Sequence, residues 1–234
     1  MIFENITHLY QELKTNNKHS LCVFDLDSTL FNVSPRSEKI LHEFAVDRNF
    51  PELLKIKIQM EDWGIYEALL RAGYDKVQNE DLHQNLKKYW NEKFFSHEYI
   101  HYDTPYLGAI HFVQSLKLSG VGIKYLTGRD VFRMGQGTAE VLKKWGLPCD
   151  PAQIHLKPQK EMDDHLFKLE WLQKLAQDHP KSQIYFFENE PVNINLVGDH
   201  MPNVRLIYMN TTHSRRDNVR ALHTEIFNYT IERD

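Results

Sequence analysis

The chain has 234 residues, of which 41% are hydrophobic and 26% are charged, a composition typical of a globular protein that folds in water. Its net charge of −4 at pH 7 argues against the strongly basic surfaces that bind nucleic acid or anionic membranes. No apolar run is long enough to span a bilayer, and the first residues lack the basic and apolar regions of a signal peptide. We therefore expect a cytoplasmic protein with no membrane partner, and the composition indicates no particular oligomeric state.

The two cysteines, Cys22 and Cys149, do not form a C-x-x-C pair. Cys22 lies in an apolar stretch, and Cys149 follows a proline. This usage does not indicate a disulfide framework, and we expect both thiols to be reduced and structural.

The first predicted elements are a short helix over residues 3–15 and an apolar strand over residues 20–26. The pattern then changes, because apolar residues recur at intervals of three and four, the period of a helix, over residues 37–100. We therefore expect an all-helical insertion, a cap, within an α/β core. The predicted boundaries are residues 36–100 for the cap and residues 1–35 and 101–234 for the core.

Beyond the insertion, strands and helices alternate. Thr104 is the predicted N-cap of a helix that has Pro105 in its first turn and ends near Gly120. Strands are then predicted over residues 121–126, 154–156, 183–187 and 204–209, and helices over residues 130–145, 163–178, 191–199 and 216–229. This alternation predicts an α/β fold of Rossmann-like type, in which a parallel sheet lies between two layers of helices.

Three of the predicted strands end in polar or acidic residues. The first ends in Asp25-Leu26-Asp27, the second in Thr127-Gly128-Arg129-Asp130, and the strand QIYFF in Glu188-Asn189-Glu190. Ligands of parallel α/β sheets bind at the carboxyl ends of the strands, so we expect a single site there. Two residues apart on an extended backbone, Asp25 and Asp27 point to the same side, where their charges repel unless a cation lies between them.

These side chains have the chemistry that phosphoryl transfer needs. Clustered carboxylates favour a hard divalent cation with oxygen ligands, most simply Mg²⁺, which would relieve the repulsion between Asp25 and Glu188. One carboxylate can act as a nucleophile, while a second protonates a leaving oxygen and later takes a proton from water. A hydroxyl group and a lysine can stabilise the developing negative charge.

The motif Asp25-Leu26-Asp27-Ser28-Thr29 after an apolar strand resembles the D-x-D-x-[TV] first motif of the haloacid dehalogenase superfamily. The stretch from Tyr125 to Arg129 resembles the second motif of that family, in which a hydroxyl residue ends the next strand. The helical insertion between the two motifs is similar to the C1 cap of the family. The resemblance extends from about residue 20 to about residue 210 and implies the haloacid dehalogenase-like fold.

The resemblance also implies roles for individual residues. Asp25 would be the phosphorylated nucleophile and a metal ligand, and Asp27 would be the general acid and base and would offer its backbone carbonyl to the metal. Thr127 would hydrogen-bond the phosphoryl oxygens, with Ser28, Thr29 and Gly128 also in the substrate-binding set. True dehalogenases lack the second aspartate, because a halide needs no proton to leave. Asp27 therefore favours a phosphate ester over a carbon–halogen bond as the substrate.

Three lysines are candidates for the third motif, the phosphate-binding lysine. We favour Lys168, because the sequence Asp163-Asp164-x-x-x-Lys168 is similar to the phosphatase part of polynucleotide kinase-phosphatases. That comparison also matches Thr127-Gly128-Arg129 and implies that Arg129 contacts phosphate. It leaves a phosphorylated nucleic-acid end as a less favoured substrate. Lys157, which precedes a proline, is the second candidate and Lys160 is the third.

The fourth motif departs from the pattern of the family. Members of the family have two acids that are adjacent or four or five residues apart, whereas this chain has Glu188-Asn189-Glu190-Pro191. Glu188 can replace a metal-binding aspartate with a longer side chain. Asn189 can offer an oxygen but no charge, and Glu190 is the alternative ligand. We therefore expect this departure to affect the metal affinity and the turnover of the site.

Structural explanations compete with these roles. A turn after the first strand would account for its paired aspartates. Thr127 would cap a helix that begins near Arg129, and Glu188 and Glu190 would interact with the positive end of the next helix.

Other residue patterns are weaker still as functional signals. Gly135 and Gly137 are more typical of a loosened helix or a close approach of helices than of a dinucleotide site. His97 and His101 have the spacing of metal ligands on a helix but lack the other residues of a zinc motif. For most of four aromatic residues in the insertion, core packing is favoured over a substrate-facing surface. These residues are Trp63, Tyr66, Trp90 and Phe94.

The sequence thus predicts a Mg²⁺-dependent phosphatase that hydrolyses a small phosphomonoester through an aspartyl-phosphate intermediate. One alternative is a phosphomutase of the same superfamily, which returns the phosphoryl group to a sugar. The other is a catalytically weak protein that binds a phosphate ligand and has retained the fold, an interpretation that Asn189 supports.

Overall fold

The computed structural model describes residues 5–232 and contains a central sheet of six parallel strands. The spatial order of these strands is β5-β4-β1-β6-β7-β8. Their bounds are Ser20–Phe24 (β1), Gly122–Asp130 (β4), Ile154–Lys157 (β5), Gln183–Glu188 (β6), Arg205–Met209 (β7) and Thr224–Ile226 (β8). A separate antiparallel pair joins Phe31–Asn32 (β2) to Thr104–Pro105 (β3).

Helices cover both faces of this sheet. Cys22 and Phe24 of β1 belong to one apolar core and Val23 to the other, as expected for a strand buried on both sides. The helices on the first face are Ile6–Thr15 (α1), Ala109–Leu118 (α6) and Val131–Lys144 (α7). Those on the second face are Asp164–Asp178 (α8) and Pro191–His200 (α9). These three layers confirm the predicted α/β fold with a parallel sheet.

The segment between β2 and β3 is helical and packs around an apolar cluster of its own. Leu41, Phe44, Leu53 and Leu86 are buried within that cluster. The helices are Ser34–Asp47 (α2), Ile65–Arg71 (α3), Glu80–Phe94 (α4) and His97–Ile100 (α5), with a short 3₁₀ helix over Pro51–Lys55. The division into a core and a cap at residues 36 and 100 stays a prediction. No helix within residues 5–232 has the length and apolarity that a bilayer crossing requires.

The prediction of a helix starting at Thr104 was wrong. Thr104 and Pro105 form β3, where they pair with Asn32 and Phe31. Proline is tolerated in so short an edge strand because it need not donate to a ladder. Helix α6 begins only after Gly108, whose φ of 79° is left-handed and whose Cβ, if present, would lie 2.5 Å from the backbone of Tyr229.

The prediction of a final helix over residues 216–229 was also wrong. Thr224–Ile226 extends the sheet as β8, where β-branched residues are favoured. The backbone before it is held by the Asn195 side chain, whose Oδ1 accepts from Arg220 N at 2.7 Å and from Ala221 N at 3.1 Å. The Asn195 Nδ2 donates to Asn218 O at 2.9 Å, so these backbone groups have partners outside a helix.

Several smaller predictions can be compared with the described residues. Helix α1 begins at Ile6, and residues 3 and 4 of the predicted helix lie outside the described range. The close-approach interpretation of Gly137 is confirmed, because a Cβ there would lie 2.5 Å from His97 O. Trp63 and Tyr66 are 54% and 44% exposed, whereas Trp90 and Phe94 pack in an apolar cluster, so core packing holds for two of the four aromatic residues and not for most of them.

Candidate active site

The first strand delivers Asp25 to the carboxyl edge of the sheet. Its backbone N–H donates to Phe187 O at 2.9 Å, which continues the pairing of β1 with β6 for one more residue. The chain then turns, with Ser28 at a left-handed φ of 60° and its N–H donating to Phe31 O at 2.8 Å. This tight turn places Asp25 and Asp27 at the same edge of the sheet. Their carboxylates contact different basic side chains, which are a lysine for Asp25 and two arginines for Asp27.

Lys168 of α8 lies between two buried carboxylates. Its Nζ donates to Asp25 Oδ1 and to Glu188 Oε2, each at 2.7 Å. The three side chains are 5%, 6% and 1% exposed respectively. Burial raises the pKa of Asp25 to about 7, although Lys168 opposes this shift. Burial also opposes protonation of Lys168, but Asp25 and Glu188 raise the pKa of its ammonium group well above the ordinary value.

Glu188 has donors on both of its oxygens. Its Oε1 accepts from the backbone N–H groups of Asn189 at 3.0 Å and Glu190 at 2.9 Å. Its Oε2 accepts from Lys168 and from Asn193 Nδ2 at 2.9 Å. Since the α9 helix begins at Pro191, Glu188 also lies near its positive end. Glu188 therefore holds Lys168 in place while its two oxygens accept from four donors, which is about the number that a carboxylate can accommodate.

Asn189 faces Asp25 across one hydroxyl group. The Thr29 Oγ1 lies 2.9 Å from Asp25 Oδ2 and 3.0 Å from Asn189 Oδ1. Asn189 Nδ2 donates to Thr212 O at 2.7 Å, which fixes the orientation of the amide. By contrast, the Glu190 carboxylate accepts from the backbone and side chain of a residue in the loop after β7, Ser214.

Asp27 is held by two arginines. Arg129 donates to it from Nη2 at 2.6 Å and from Nε at 3.2 Å, and Arg36 donates from Nη2 at 2.9 Å. Burial alone would raise the pKa of Asp27, but Arg129 and Arg36 together hold it well below its usual range. Both arginines also contact Asp103, a carboxylate with no exposed surface.

Thr127 and Gly128 lie at the end of β4 with their predicted neighbours. Thr127 is buried, and its Oγ1 accepts from the backbone N–H of Arg129 at 3.3 Å. It does not cap α7, because Asp130 accepts from Arg133 N in that role. Gly128 packs so closely on α8 that a Cβ would lie 2.6 Å from Asp164 Oδ2. Arg129 is buried and directed at Asp27 and Asp103.

Lys157 and Lys160 lie away from Asp25. Lys157 Nζ donates to Met162 O at 3.0 Å and pairs with the Asp164 carboxylate. The side chain of Lys160 is 59% exposed. Both residues line a cleft of about 430 Å³ between the core and the helical segment, together with Phe95, Gly128, Arg133, Glu161 and Asp164.

Sequence reasoning missed Arg36 and Asp103, which complete the surroundings of Asp27. Arg36 lies within the first turn of α2, where an arginine is usually solvated, and no local pattern marks it as buried. Asp103 directly precedes Thr104, where the sequence predicted a helix and the structure has a strand. Asn193, which donates to Glu188, lies in the first turn of α9 and carried no sequence signal beyond its closeness to Glu188 in the chain.

The oxygen atoms at this edge fit a hard cation only weakly. Within residues 5–232 there is no group of three or more His, Cys, Asp or Glu side chains that could hold a metal ion. Asp25 Oδ2 and Asn189 Oδ1 do converge on the Thr29 hydroxyl, and carboxylate, amide and backbone carbonyl oxygens are the donors that Mg²⁺ accepts. These oxygen atoms therefore suit a cation site in which one carboxylate is the charged ligand and the other ligands are neutral.

Comparisons with known proteins identify the fold. No protein-family model matches the sequence, and neither does any curated protein. A haloacid dehalogenase-like family hydrolase from Streptococcus pneumoniae shares 14% identity over 88% of this chain and 93% of its own, with a TM-score of 0.51. A predicted phosphatase from Clostridium acetobutylicum shares 13% identity over 88% and 94%, with a TM-score of 0.50. Protein tyrosine kinase A from Mycobacterium tuberculosis shares 13% identity over 89% and 94%, with the same score.

These likenesses show that the chain has the haloacid dehalogenase-like fold, as its motifs predicted. At such low identity they establish the fold alone. A protein named as a kinase shares this fold with hydrolases, so the reaction must be argued from the residues of the site.

Proposed function

We propose that this protein is a Mg²⁺-dependent phosphatase that hydrolyses a small phosphomonoester through a phosphorylated Asp25. The observation that carries the proposal is the position of Asp25 at the carboxyl end of β1, with Lys168 2.7 Å from one of its oxygens and Thr29 2.9 Å from the other. A buried carboxylate held in this way has a fixed direction of attack. The fixed ammonium group can stabilise negative charge that develops on a phosphoryl group.

Two steps account for hydrolysis. In the first, an Asp25 oxygen forms a bond to phosphorus as the bond from phosphorus to the leaving oxygen breaks, and the leaving oxygen takes up a proton from solvent. In the second, a water oxygen attacks phosphorus, the bond from the Asp25 oxygen to phosphorus breaks, and a proton of the water passes to Asp27, which then releases it to solvent. Because Arg36 and Arg129 keep Asp27 ionised, it is better suited to take this proton than to supply one in the first step.

Mg²⁺ would be held by Asp25, by the backbone carbonyl of Asp27 and by Asn189, and when bound it would neutralise charge on the phosphoryl oxygens. Glu188 supports this set indirectly, since it fixes Lys168 and the start of α9. The helical segment contributes Arg36 to the site, and a cap in this position would favour small substrates by restricting access to the edge of the sheet.

A generic aryl phosphate tests the proposal, because an aryl oxide leaves with little need of a proton. We expect hydrolysis that requires Mg²⁺, stops with EDTA, and falls at least about 1,000-fold in kcat/KM for Asp25→Asn. Asp199→Asn is the matched control, since Asp199 is an exposed aspartate on α9. Hydrolysis that is insensitive to both EDTA and Asp25→Asn would refute the mechanism.

A catalytically weak phosphate-binding protein is the second candidate. The observation that favours it is the neutral Asn189 amide, whose Oδ1 shares the Thr29 hydroxyl with Asp25 Oδ2, because a second charged ligand at this position would strengthen a metal site. Saturable binding of inorganic phosphate that is lost in Lys168→Met, without hydrolysis across a panel of phosphate esters, would support this candidate over the first.

A further inference from the structure

The charges of the site are almost balanced by the protein itself. The carboxylates and the cations form two contiguous groups, one around Lys168 and one around the two arginines. With every group ionised, four carboxylates and three cations leave a single net negative charge. The carboxylates are Asp25, Asp27, Asp103 and Glu188, and the cations are Lys168, Arg36 and Arg129.

The position that would add a further charge holds an amide. Asn189 Oδ1 and Asp25 Oδ2 both lie within hydrogen-bond distance of the Thr29 hydroxyl, at 3.0 and 2.9 Å. The bond from Asn189 Nδ2 to Thr212 O keeps the amide oxygen, not the nitrogen, directed at the Thr29 hydroxyl that also contacts Asp25. A ligand set of this kind presents only one carboxylate side chain to a cation.

The neighbouring acids are not available to replace the missing charge. Glu188 already accepts from four donors, and moving it would remove one of the two carboxylate partners of Lys168 and break the hydrogen bonds of two backbone N–H groups. Glu190 is bound to the backbone and hydroxyl of Ser214. The remaining charge for a divalent cation must therefore come from outside the chain.

We propose that a divalent cation and a phosphate group bind this site together, each weakly alone, and that Asn189 is the residue that makes the cation dependent on the phosphate. The inference rests on the phosphate site proposed above and specifies its regulation. Mg²⁺ is commonly bound by one or two carboxylates together with substrate phosphates, and here the phosphate supplies the larger share of the charge. The coupling is reciprocal, so Mg²⁺ strengthens phosphate binding by the same factor.

Calorimetric titration of the whole chain tests the proposal without using turnover. Inorganic phosphate is titrated with and without Mg²⁺, and Mg²⁺ is titrated with and without inorganic phosphate, with each heat corrected for Mg²⁺–phosphate association in buffer. We expect each ligand to tighten the binding of the other by about tenfold or more. Asn189→Asp should bind Mg²⁺ without phosphate at least about tenfold more tightly than the natural chain, since it adds a charged ligand. Asn203→Asp adds the same charge in an exposed position ahead of β7, and its Mg²⁺ affinity should match that of the natural chain.

Equal Mg²⁺ affinities with and without phosphate in the natural chain would overturn the inference, and this arm stands even if Asn189→Asp fails to fold. A folded Asn189→Asp variant with unchanged Mg²⁺ affinity would overturn it as well. If Mg²⁺ and phosphate bind independently while hydrolysis still depends on Asp25, the coupling is refuted and the phosphatase mechanism is not. Coupled binding without any hydrolysis supports the coupling and refutes the phosphatase. Failure of phosphate to bind under either condition overturns both.

Discussion

Replacement of Arg36 by methionine should strongly destabilise the fold. Arg36 has no exposed surface, and its guanidinium donates twice to Asp103, once to Asp27 at 2.9 Å and once to Phe94 O at 3.2 Å. Methionine retains apolar contact with the Phe94 ring, over which the guanidinium carbon lies at 4.3 Å. It leaves Asp103 and Asp27 to share Arg129 alone. Breaking a buried ion pair from one side costs about 3–5 kcal/mol, a large fraction of the 5–15 kcal/mol that stabilises a typical domain.

The measurement is the free energy of unfolding from urea titrations followed by circular dichroism. Arg220→Met is the matched control, because Arg220 forms an exposed ion pair with Asp217 at 3.3 Å and its side chain is 66% exposed. We expect the control to lie within about 0.5 kcal/mol of the natural chain. A loss for Arg36→Met of less than about 1 kcal/mol, or no greater than that of the control, would refute the reasoning that this buried network joins the helical segment to the core.

Three further predictions follow from other parts of the chain. Gly137→Ala should lower the free energy of unfolding by about 1–3 kcal/mol, because its Cβ would lie 2.5 Å from His97 O. The control Gly135→Ala meets nothing closer than 3.9 Å and should stabilise α7 by up to about 1 kcal/mol. Equal effects of the two substitutions in urea titrations would contradict this prediction. Burial lowers the pKa of His155 to about 4, so His155 is neutral in the folded chain and takes up a proton on unfolding as the pH falls below about 6.5. The contribution of neutral His155 to stability is complete above about pH 6.5 and is lost toward pH 4. His155→Gln should therefore narrow the difference between the Tm at about pH 7.5 and the Tm at about pH 5. A Tm difference equal to that of the natural chain would contradict this prediction. Lys168→Met should lower kcat/KM for an aryl phosphate by about 100-fold or more while Lys157→Met leaves it nearly unchanged, and the reverse order would assign the phosphate-binding role to the cleft.

Local sequence carried enough information for the sheet and for the nucleophile. The four residues directly before Asp25 are all apolar, and the alternation of strands and helices that follows has few solutions other than a parallel sheet. Because the D-x-D-x-[TV] motif comes directly after this strand, Asp25 lies at the carboxyl edge of the sheet. The choice of Lys168 also came from a local pattern, and the structure places this lysine 2.7 Å from Asp25.

Elements at the margins of the fold were predicted less well, because partners distant in sequence decide them. Apolar residues at Val219, Leu222 and Ile226 have helical spacing, yet the Asn195 side chain binds the backbone of residues 218–221 and β7 pairs with Thr224–Ile226. Thr104 and Pro105 have the sequence of a helix start, yet they pair with β2.

The sequence by itself determined that this is an α/β protein with two aspartates after its first strand and a neutral residue in its fourth motif. Only the tertiary structure decided what surrounds these residues. Asp27 meets an arginine from 9 residues away and another from 102 residues away, and Asn189 meets Thr29 from 160 residues away. Electrostatic interactions depend on distance in space and on burial, which a motif does not encode. For this reason the charge balance that makes the cation dependent on phosphate, as we propose, becomes visible only in the folded chain.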